Sequence, residues 1–278
     1  MQIKEIIKWA LDEDIQSGDI TTIATVNPDI TGSAKIITRQ NGVVAGLEIA
    51  KKIFHHFDNE LEISLSCSDG DFVKMGVELI LLNGKLASIL TAERVSLNFL
   101  GKLSGIASLT RKFVEEVNGT GCTILDTRKT TPMLRELEKY AVRVGGGKNH
   151  RSGLYDMYLI KENHIAAAGS IESALRKVFD HQEKSQNKTQ IEIEVNNLKD
   201  LKTVSKYSVD RILLDNMSVA EIKESVRICE QKIKLEVSGG INLQNIREYA
   251  ETGVDFISVG QITHSASNLD LSLLVLKE

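Results

Sequence analysis

The chain has 278 residues, 42% of them hydrophobic, which suits one large or two modest domains around a sizeable core and excludes a disordered protein. Its formal net charge of -4 offers no global attraction to nucleic acid or anionic lipid, so an anionic ligand has to be met by locally gathered cations. The three cysteines, Cys67, Cys122 and Cys229, are odd in number and far apart, a pattern that fits reduced thiols in a cytoplasmic protein rather than a zinc site.

Near the N-terminus, Ile3, Ile6, Ile7, Ala10 and Leu11 share one helical face, while Lys4, Glu5, Lys8, Asp12 and Glu13 interrupt any secretory core. No later apolar run is long enough to cross a bilayer, so a cytoplasmic chain without a membrane partner is expected. The loop DIQSGDITT follows, then strand-like runs near 34–38 (AKIIT) and 61–65 (LEISL) around a helix from Leu47 to Phe57 that starts after Gly46. This first part reads as α+β. From Ala87 to Val117, Leu97, Leu100, Leu103 and Leu109 keep a helical period, and Gly101 and Gly105 are expected to break or bend that connector.

From Thr123 onward, strand, turn and amphipathic helix alternate six times, at CTILD, MYLIK, IEIEV, RILLD, KLEVS and DFISVG, with one more unit expected near Val142. Strands separated by helices imply a parallel sheet with right-handed crossovers, here an α/β fold in the form of an incomplete (β/α) barrel. NLDLSLLVLK, near 268–277, alternates in part and is expected to return to the first domain.

In such barrels the reactive groups sit at the C-terminal strand ends. Those ends carry Asp126, Thr127, Arg128 and Lys129; Lys161, Glu162 and Asn163; Glu194; Asp215 and Asn216; Ser238, Gly239 and Gly240; and Ser258, Val259 and Gly260. Turn chemistry alone accounts for any one of them, but not readily for polar groups at all six. The loops SGGI and SVG precede helical segments and expose backbone N–H groups suited to phosphate. GGGKNHR, residues 145–151, adds Lys148, His150 and Arg151 to Arg128, Lys129 and Lys161, a cationic cluster inside an acidic protein. Guanidinium groups suit carboxylates and phosphates, so a ligand with several anionic groups answers that charge; pairing with Glu136, Glu138 and Asp156 is the plainer alternative. Glu194 and Asp215 form the opposing half, able to bind ribose hydroxyls, to hold magnesium with substrate phosphates, or to act as base, and their residue types do not choose among these. His164 either orients Lys161 or is structural, and His55 and His56 read as surface or packing residues.

The blocks DIQSGDIT, AERVSLNFLGKLSGIA, ILDTRKTTP, LEKYAVRVGGGKNHRSGLYDMYLIKENHI, LLDNM, SGGI and GVDFISVG cover almost the whole chain in order. In them the sequence resembles quinolinate phosphoribosyltransferase, the decarboxylating enzyme of NAD synthesis. That resemblance implies an N-terminal α/β sandwich over 1–105, rejoined by 267–278, and an incomplete α/β barrel over 106–266. It implies transfer of phosphoribosyl from phosphoribosyl pyrophosphate to quinolinate with magnesium as cofactor. Arg128, Lys129, His150, Arg151 and Lys161, with Thr127, match the family's substrate-binding positions. Lys129, Lys161, Glu194 and Asp215 carry the catalytic expectation, with Glu194 and Asp215 on the ribose and metal side. Ser238 to Gly240 and Ser258 to Gly260 match the phosphate loops. Arg94, in the AER motif, matches an arginine that reaches the neighbouring subunit's site, so a homodimer with shared sites is implied, further assembly into hexamers being left open.

Three other readings compete. A paralogue associated with molybdenum transport is opposed by the intact TRKTTP, NHRSGLYD and LIKENH blocks. A barrel lyase would use Lys161 as a Schiff-base amine. A silent phosphoribosyl-binding regulator would not require the complete set of acids and cations.

Overall fold

A computed structural model describes residues 3–186 and 188–276. In chain order the first elements are α1 (Ile3–Ile15), α2 (Ile20–Thr25), β1 (Thr31–Thr38), β2 (Gly42–Val43), α3 (Leu47–Phe57), β3 (Glu62–Leu65), β4 (Phe72–Val73), β5 (Glu78–Lys85) and α4 (Leu86–Glu116). The middle of the chain forms β6 (Thr123–Leu125), α5 (Arg135–Val144), β7 (Tyr158–Ile160), α6 (Glu162–Ala168), α7 (Ile171–Ser185), β8 (Ile191–Val195) and α8 (Leu198–Val204). The remainder is β9 (Arg211–Asp215), α9 (Val219–Cys229), β10 (Lys234–Ser238), α10 (Ile246–Ala250), β11 (Phe256–Ser258), α11 (Gln261–His264) and β12 (Leu271–Val275).

Two compact units emerge, one over 1–111, 131–146 and 265–278, the other over 112–130 and 147–264. In the first, β12, β1, β5 and β3 form an antiparallel sheet in that order. Strand β12 therefore does return to the first unit, although residues 277 and 278 of the expected segment lie outside the described residues. Ile36, Phe54, Leu82, Ile89 and Leu100 are fully buried in one core, which joins the apolar faces of β1, β5, α3 and α4. Helix α3 starts where expected because Gly46 takes the left-handed conformation at φ 102° and the Asp69 carboxylate accepts the Gly46 and Leu47 N–H groups at 2.8 and 3.0 Å.

Two expectations are corrected. Helix α4 runs unbroken for 31 residues through Gly101 and Gly105. Those glycines admit a neighbouring backbone: a Cβ at Gly105 would lie 2.0 Å from the Ser267 carbonyl oxygen, and one at Gly101 would lie 2.9 Å from that of Leu269. Val142 belongs to helix α5, where it is buried, and not to a further strand.

In the second unit β6, β11, β10, β9, β8 and β7 form a parallel sheet in that order. Among the described residues β6 and β7 share no ladder, so the strands form an incomplete barrel, and β6 carries only a parallel bridge from Leu125 to Lys148 on its other side. Helices separate the strands from β7 onward, as parallel pairing requires. No helix among the described residues is long and apolar enough to cross a membrane.

Candidate active site

Alternation along the parallel strands decides which side chains share a face. Glu192 and Glu194 on β8 lie on one side of their strand, as do Arg211, Leu213 and Asp215 on β9, and Glu236 and Ser238 on β10. Glu192 is in register with Arg211, and Asp215 with Ser238.

The segment after β6 is held from below. Asp126 is fully buried and accepts the His150 N–H and the Asn149 side-chain amide, each at 2.7 Å, which fixes the GGGKNHR segment against β6. Lys129 is exposed; its backbone N–H bonds Thr127 Oγ1 at 3.0 Å, and its carbonyl accepts Thr263 Oγ1 at 2.8 Å. Arg128 is half-buried, and its Nε is a buried donor with no hydrogen-bond partner. Arg151 holds its charge less readily than a free guanidinium, first through burial and then through repulsion by Arg128. Glu192 and Asp156 partly offset that repulsion, and the unmet Arg128 donor would suit an anion. Asp156 does not neutralise the pair by direct bonding; its two oxygens accept the Ser152 and Gly153 N–H groups at 2.6 and 3.0 Å. Glu138 is likewise used elsewhere, with Lys102 at 3.2 Å and the Thr131 N–H at 3.1 Å.

Lys161 lies just past β7 with its Nζ 2.5 Å from Glu194 Oε2. A lysine engaged by a carboxylate suits a positioning role. His164 Nδ1 accepts the Lys161 N–H at 3.0 Å, so its orienting role acts on the backbone of Lys161. His55 is a packing residue, its Nε2 lying 3.0 Å from the Leu61 carbonyl.

Asp215 is flanked by two donors, Ser238 Oγ at 2.6 Å and Asn216 Nδ2 at 2.9 Å. In the glycine loop, Gly240 has φ 64° and no atom within 4 Å of where a Cβ would stand, so its backbone is open to a ligand. The SVG loop is less available than expected. The Val259 N–H donates to the Leu125 carbonyl at 2.9 Å, and Ser258 is buried with its hydroxyl 3.5 Å from the Val237 carbonyl. Gly260 instead makes room for side chains, a Cβ there meeting Lys129 at 3.1 Å and His264 at 3.2 Å.

Sequence reasoning missed the charged cluster beneath these groups. His150 Nε2 lies 3.0 Å from Glu192 and 3.4 Å from Glu236, and Arg211 Nη1 lies 2.5 Å from the other Glu236 oxygen. Arg211 also sits 4.2 Å above the Phe256 ring. Burial opposes charge on His150, but the two carboxylates outweigh it and push the imidazole up to about 9. Burial, then the charge of Glu236, raises the Glu192 carboxyl. For Glu236, burial is outweighed by His150 and Arg211, which hold its carboxyl below the usual range. The three ligand atoms of His150, Glu192 and Glu236 lie within 4.8 Å of one another, a spacing open to a metal ion, but Arg211 already supplies a cation there. The signal lay in the strand pattern: IEIEV puts Glu192 on the face of Glu194, and KLEVS puts Glu236 on that of Ser238.

Arg94 stands on α4 of the first unit, exposed, with Glu93 3.8 Å from its guanidinium. The groups described above from 126 to 129 and from 147 to 264 all belong to the second unit.

Comparison with known proteins agrees across the chain. Residues 19–104 match the family model described as quinolinate phosphoribosyl transferase, N-terminal domain, and residues 106–274 match that of its C-terminal domain. The chloroplastic nicotinate-nucleotide pyrophosphorylase [carboxylating] of Arabidopsis thaliana is 38% identical over 289 residues, covering 98% of this chain and 82% of the relative. A probable nicotinate-nucleotide pyrophosphorylase [carboxylating] of Bacillus subtilis is 39% identical over 273 residues, covering 98% and 93%. The crystal structure of NadC from Streptococcus pyogenes superposes with a TM-score of 0.94 at 38% identity, covering 99% of this chain and 98% of that one.

Proposed function

This chain belongs to the quinolinate phosphoribosyltransferase family, and from that premise we propose that it joins quinolinate to phosphoribosyl pyrophosphate, yielding nicotinate mononucleotide, pyrophosphate and carbon dioxide in de novo NAD synthesis. The observation that carries this reading is the Arg128 and Arg151 pair, two mutually repelling guanidiniums with a buried unmet Nε, which calls for a ligand with more than one anionic group. Quinolinate is a diacid; nicotinate has one carboxylate and would leave part of that charge unmet.

The quinolinate ring nitrogen attacks the anomeric carbon while the bond from that carbon to pyrophosphate breaks. The ring becomes cationic. The carboxylate beside the nitrogen then leaves as carbon dioxide, its bonding pair stays on the ring carbon next to the positive charge, and that carbon takes up a proton. Arg128 and Arg151 on one side, with His150 behind them bonded to the Arg151 N–H, and Lys129 and Lys161 nearby, hold the diacid and the phosphates so that the nitrogen faces the ribose, an entropic gain that can reach several kcal/mol. Gly240 offers its open backbone to phosphate. Glu194 and Asp215, carboxylates from the adjacent strands β8 and β9, suit ribose hydroxyls and also the oxygen donor set that magnesium prefers. Magnesium bound with the substrate's phosphates would offset the charge gathered on departing pyrophosphate.

The working form is a homodimer in which Arg94 completes the site of a second copy. Exposed Leu154 and Tyr155, adjacent in sequence, offer an apolar contact for a second copy. The three free cysteines support a cytoplasmic setting. The test is mononucleotide formation from phosphoribosyl pyrophosphate with quinolinate and with nicotinate in parallel. Turnover of quinolinate with little from nicotinate is expected, and equal turnover of the two would defeat the proposal.

A further inference from the structure

Asn216, the residue after β9, holds an unusual place beside Asp215. It is a non-glycine residue in the left-handed region, at φ 53°, a conformation asparagine tolerates better than most. Its N–H bonds the Ser238 carbonyl at 3.0 Å and its side-chain amide bonds Asp215 Oδ2 at 2.9 Å, while Ser238 Oγ takes the other oxygen at 2.6 Å. The opposite end of the same carboxamide fills the space where Gly239 has no side chain. A Cβ on Gly239 would lie 2.1 Å from Asn216 Oδ1 and 2.6 Å from its Cγ. Gly240, the next residue, meets nothing within 4 Å. The two glycines therefore serve different purposes. Two further asparagines steady the loop: Asn245 Nδ2 donates to the Gly240 carbonyl at 3.0 Å, and Asn245 Oδ1 accepts the Asn242 N–H at 2.9 Å.

We propose that Asn216 is a positioning residue for the reaction, clamping the Asp215 carboxylate against Ser238, and that Gly239, whose left-handed backbone at φ 94° already favours glycine, also seats the Asn216 carboxamide by carrying no side chain, leaving Gly240 as the loop position open to the ligand. The assignment rests on the phosphoribosyl-transfer reading, since it is Asp215 that is positioned. The physical basis is that a carboxylate at a strand end has free rotation about its side-chain bonds unless both oxygens are held. Here each oxygen takes one donor from within the chain, which fixes the plane of the carboxylate before substrate arrives.

Four variants separate this role from mere loop structure. Asn216→Gly keeps the left-handed backbone and removes the amide; Asn216→Asp keeps the shape but cannot donate and adds a like charge. Gly239→Ala and the double variant Asn216→Gly with Gly239→Ala complete a cycle on the proposed seat. Each is assayed for kcat and for KM with each substrate, and its unfolding in urea is measured. Asn216→Gly and Asn216→Asp are expected to lower kcat by roughly tenfold to a hundredfold, the scale of one charged hydrogen bond, with KM for quinolinate within about twofold. Gly239→Ala is expected to shift the urea midpoint less in the Asn216→Gly background than in the wild-type chain, because the side-chain clash is then gone while the backbone strain at φ 94° and the approach to the Asn216 nitrogen at 3.0 Å are common to both. Undiminished kcat in Asn216→Gly would overturn the positioning role, and an equal midpoint shift in the two backgrounds would overturn the seat. A wild-type chain inactive with quinolinate would defeat the functional reading instead, and the unfolding cycle would still decide the match of Asn216 with Gly239.

Discussion

His150 Nε2 lies 3.0 Å from Oε2 of Glu192, a carboxylate with no exposure to solvent. The other ring nitrogen, Nδ1, accepts the Arg151 N–H at 2.7 Å, a bond that a second ring proton would displace. The carboxylates favour an additional proton on the ring, whereas the Arg151 N–H favours keeping it on Glu192; geometry makes the proton a property of the cluster. The sign of its effect is the same in either place. A folded-state pKa raised above the unfolded value contributes stability that is complete below the unfolded value and lost as pH rises through the folded one. Wild-type stability is therefore expected to fall from about pH 6.5 to about 9, by at most roughly 3 kcal/mol. Glu192→Gln, which needs no extra proton, should flatten that fall. Urea unfolding of both chains across that range checks it, and parallel curves would remove the shared proton.

The proposed reaction assigns Arg151, which lies near enough to Arg128 to feel its charge and whose N–H bonds His150, to the diacid. Arg151→Ala is expected to weaken quinolinate use by roughly tenfold to a few hundredfold, a charged hydrogen bond being worth ~1.5–3 kcal/mol. Steady-state kinetics with quinolinate as the varied substrate measures this. Unchanged constants would take Arg151 out of the site.

The proposed reaction assigns Glu194 and Asp215 to the ribose and metal side. Glu194→Ala or Asp215→Ala should lower turnover and leave quinolinate binding largely intact, as measured by calorimetry beside the rate assay. Glu194→Ala also frees Lys161 from its partner at 2.5 Å. A selective loss of quinolinate binding in either variant would reverse the placement.

Much of the fold was legible because alternating strands and amphipathic helices leave a periodic trace. The six parallel strands, the start of α3 after Gly46 and the return of β12 all follow from that trace. Gly101 and Gly105 were misread because a glycine in a helix has two meanings, a break or a close approach, and the approaching Ser267 and Leu269 carbonyls are invisible in a local pattern. At the site, strand ends pointed to Arg128, Lys161, Glu194 and Asp215. Glu192 and Glu236 escaped notice because attention stopped at the ends of strands whose interiors also carry charge. The role expected of Arg94 rests on resemblance alone, since nothing in its own neighbourhood marks it.

The proposed sharing of the site between two copies gives a test of assembly. If Arg94 serves a second copy, Arg94→Ala and Arg151→Ala chains should each be strongly impaired alone and regain activity above either background when unfolded, mixed and refolded together. In a mixed dimer, one site keeps its own Arg151 and receives Arg94 from the neighbour, while the other lacks both. Random reassortment makes about half of the dimers mixed, so about a quarter of wild-type activity should return. No recovery despite verified mixed dimers would confine Arg94 to its own chain.

The coupling of phosphoribosyl transfer to decarboxylation is tested most directly by stoichiometry. Quinolinate labelled in the carboxylate beside the ring nitrogen is incubated with phosphoribosyl pyrophosphate, magnesium and the purified chain, and labelled carbon dioxide, pyrophosphate and nicotinate mononucleotide are counted together. Equal amounts of the three, appearing at one rate, are expected. A mononucleotide that retains the label, or release of label without pyrophosphate, would contradict the assignment.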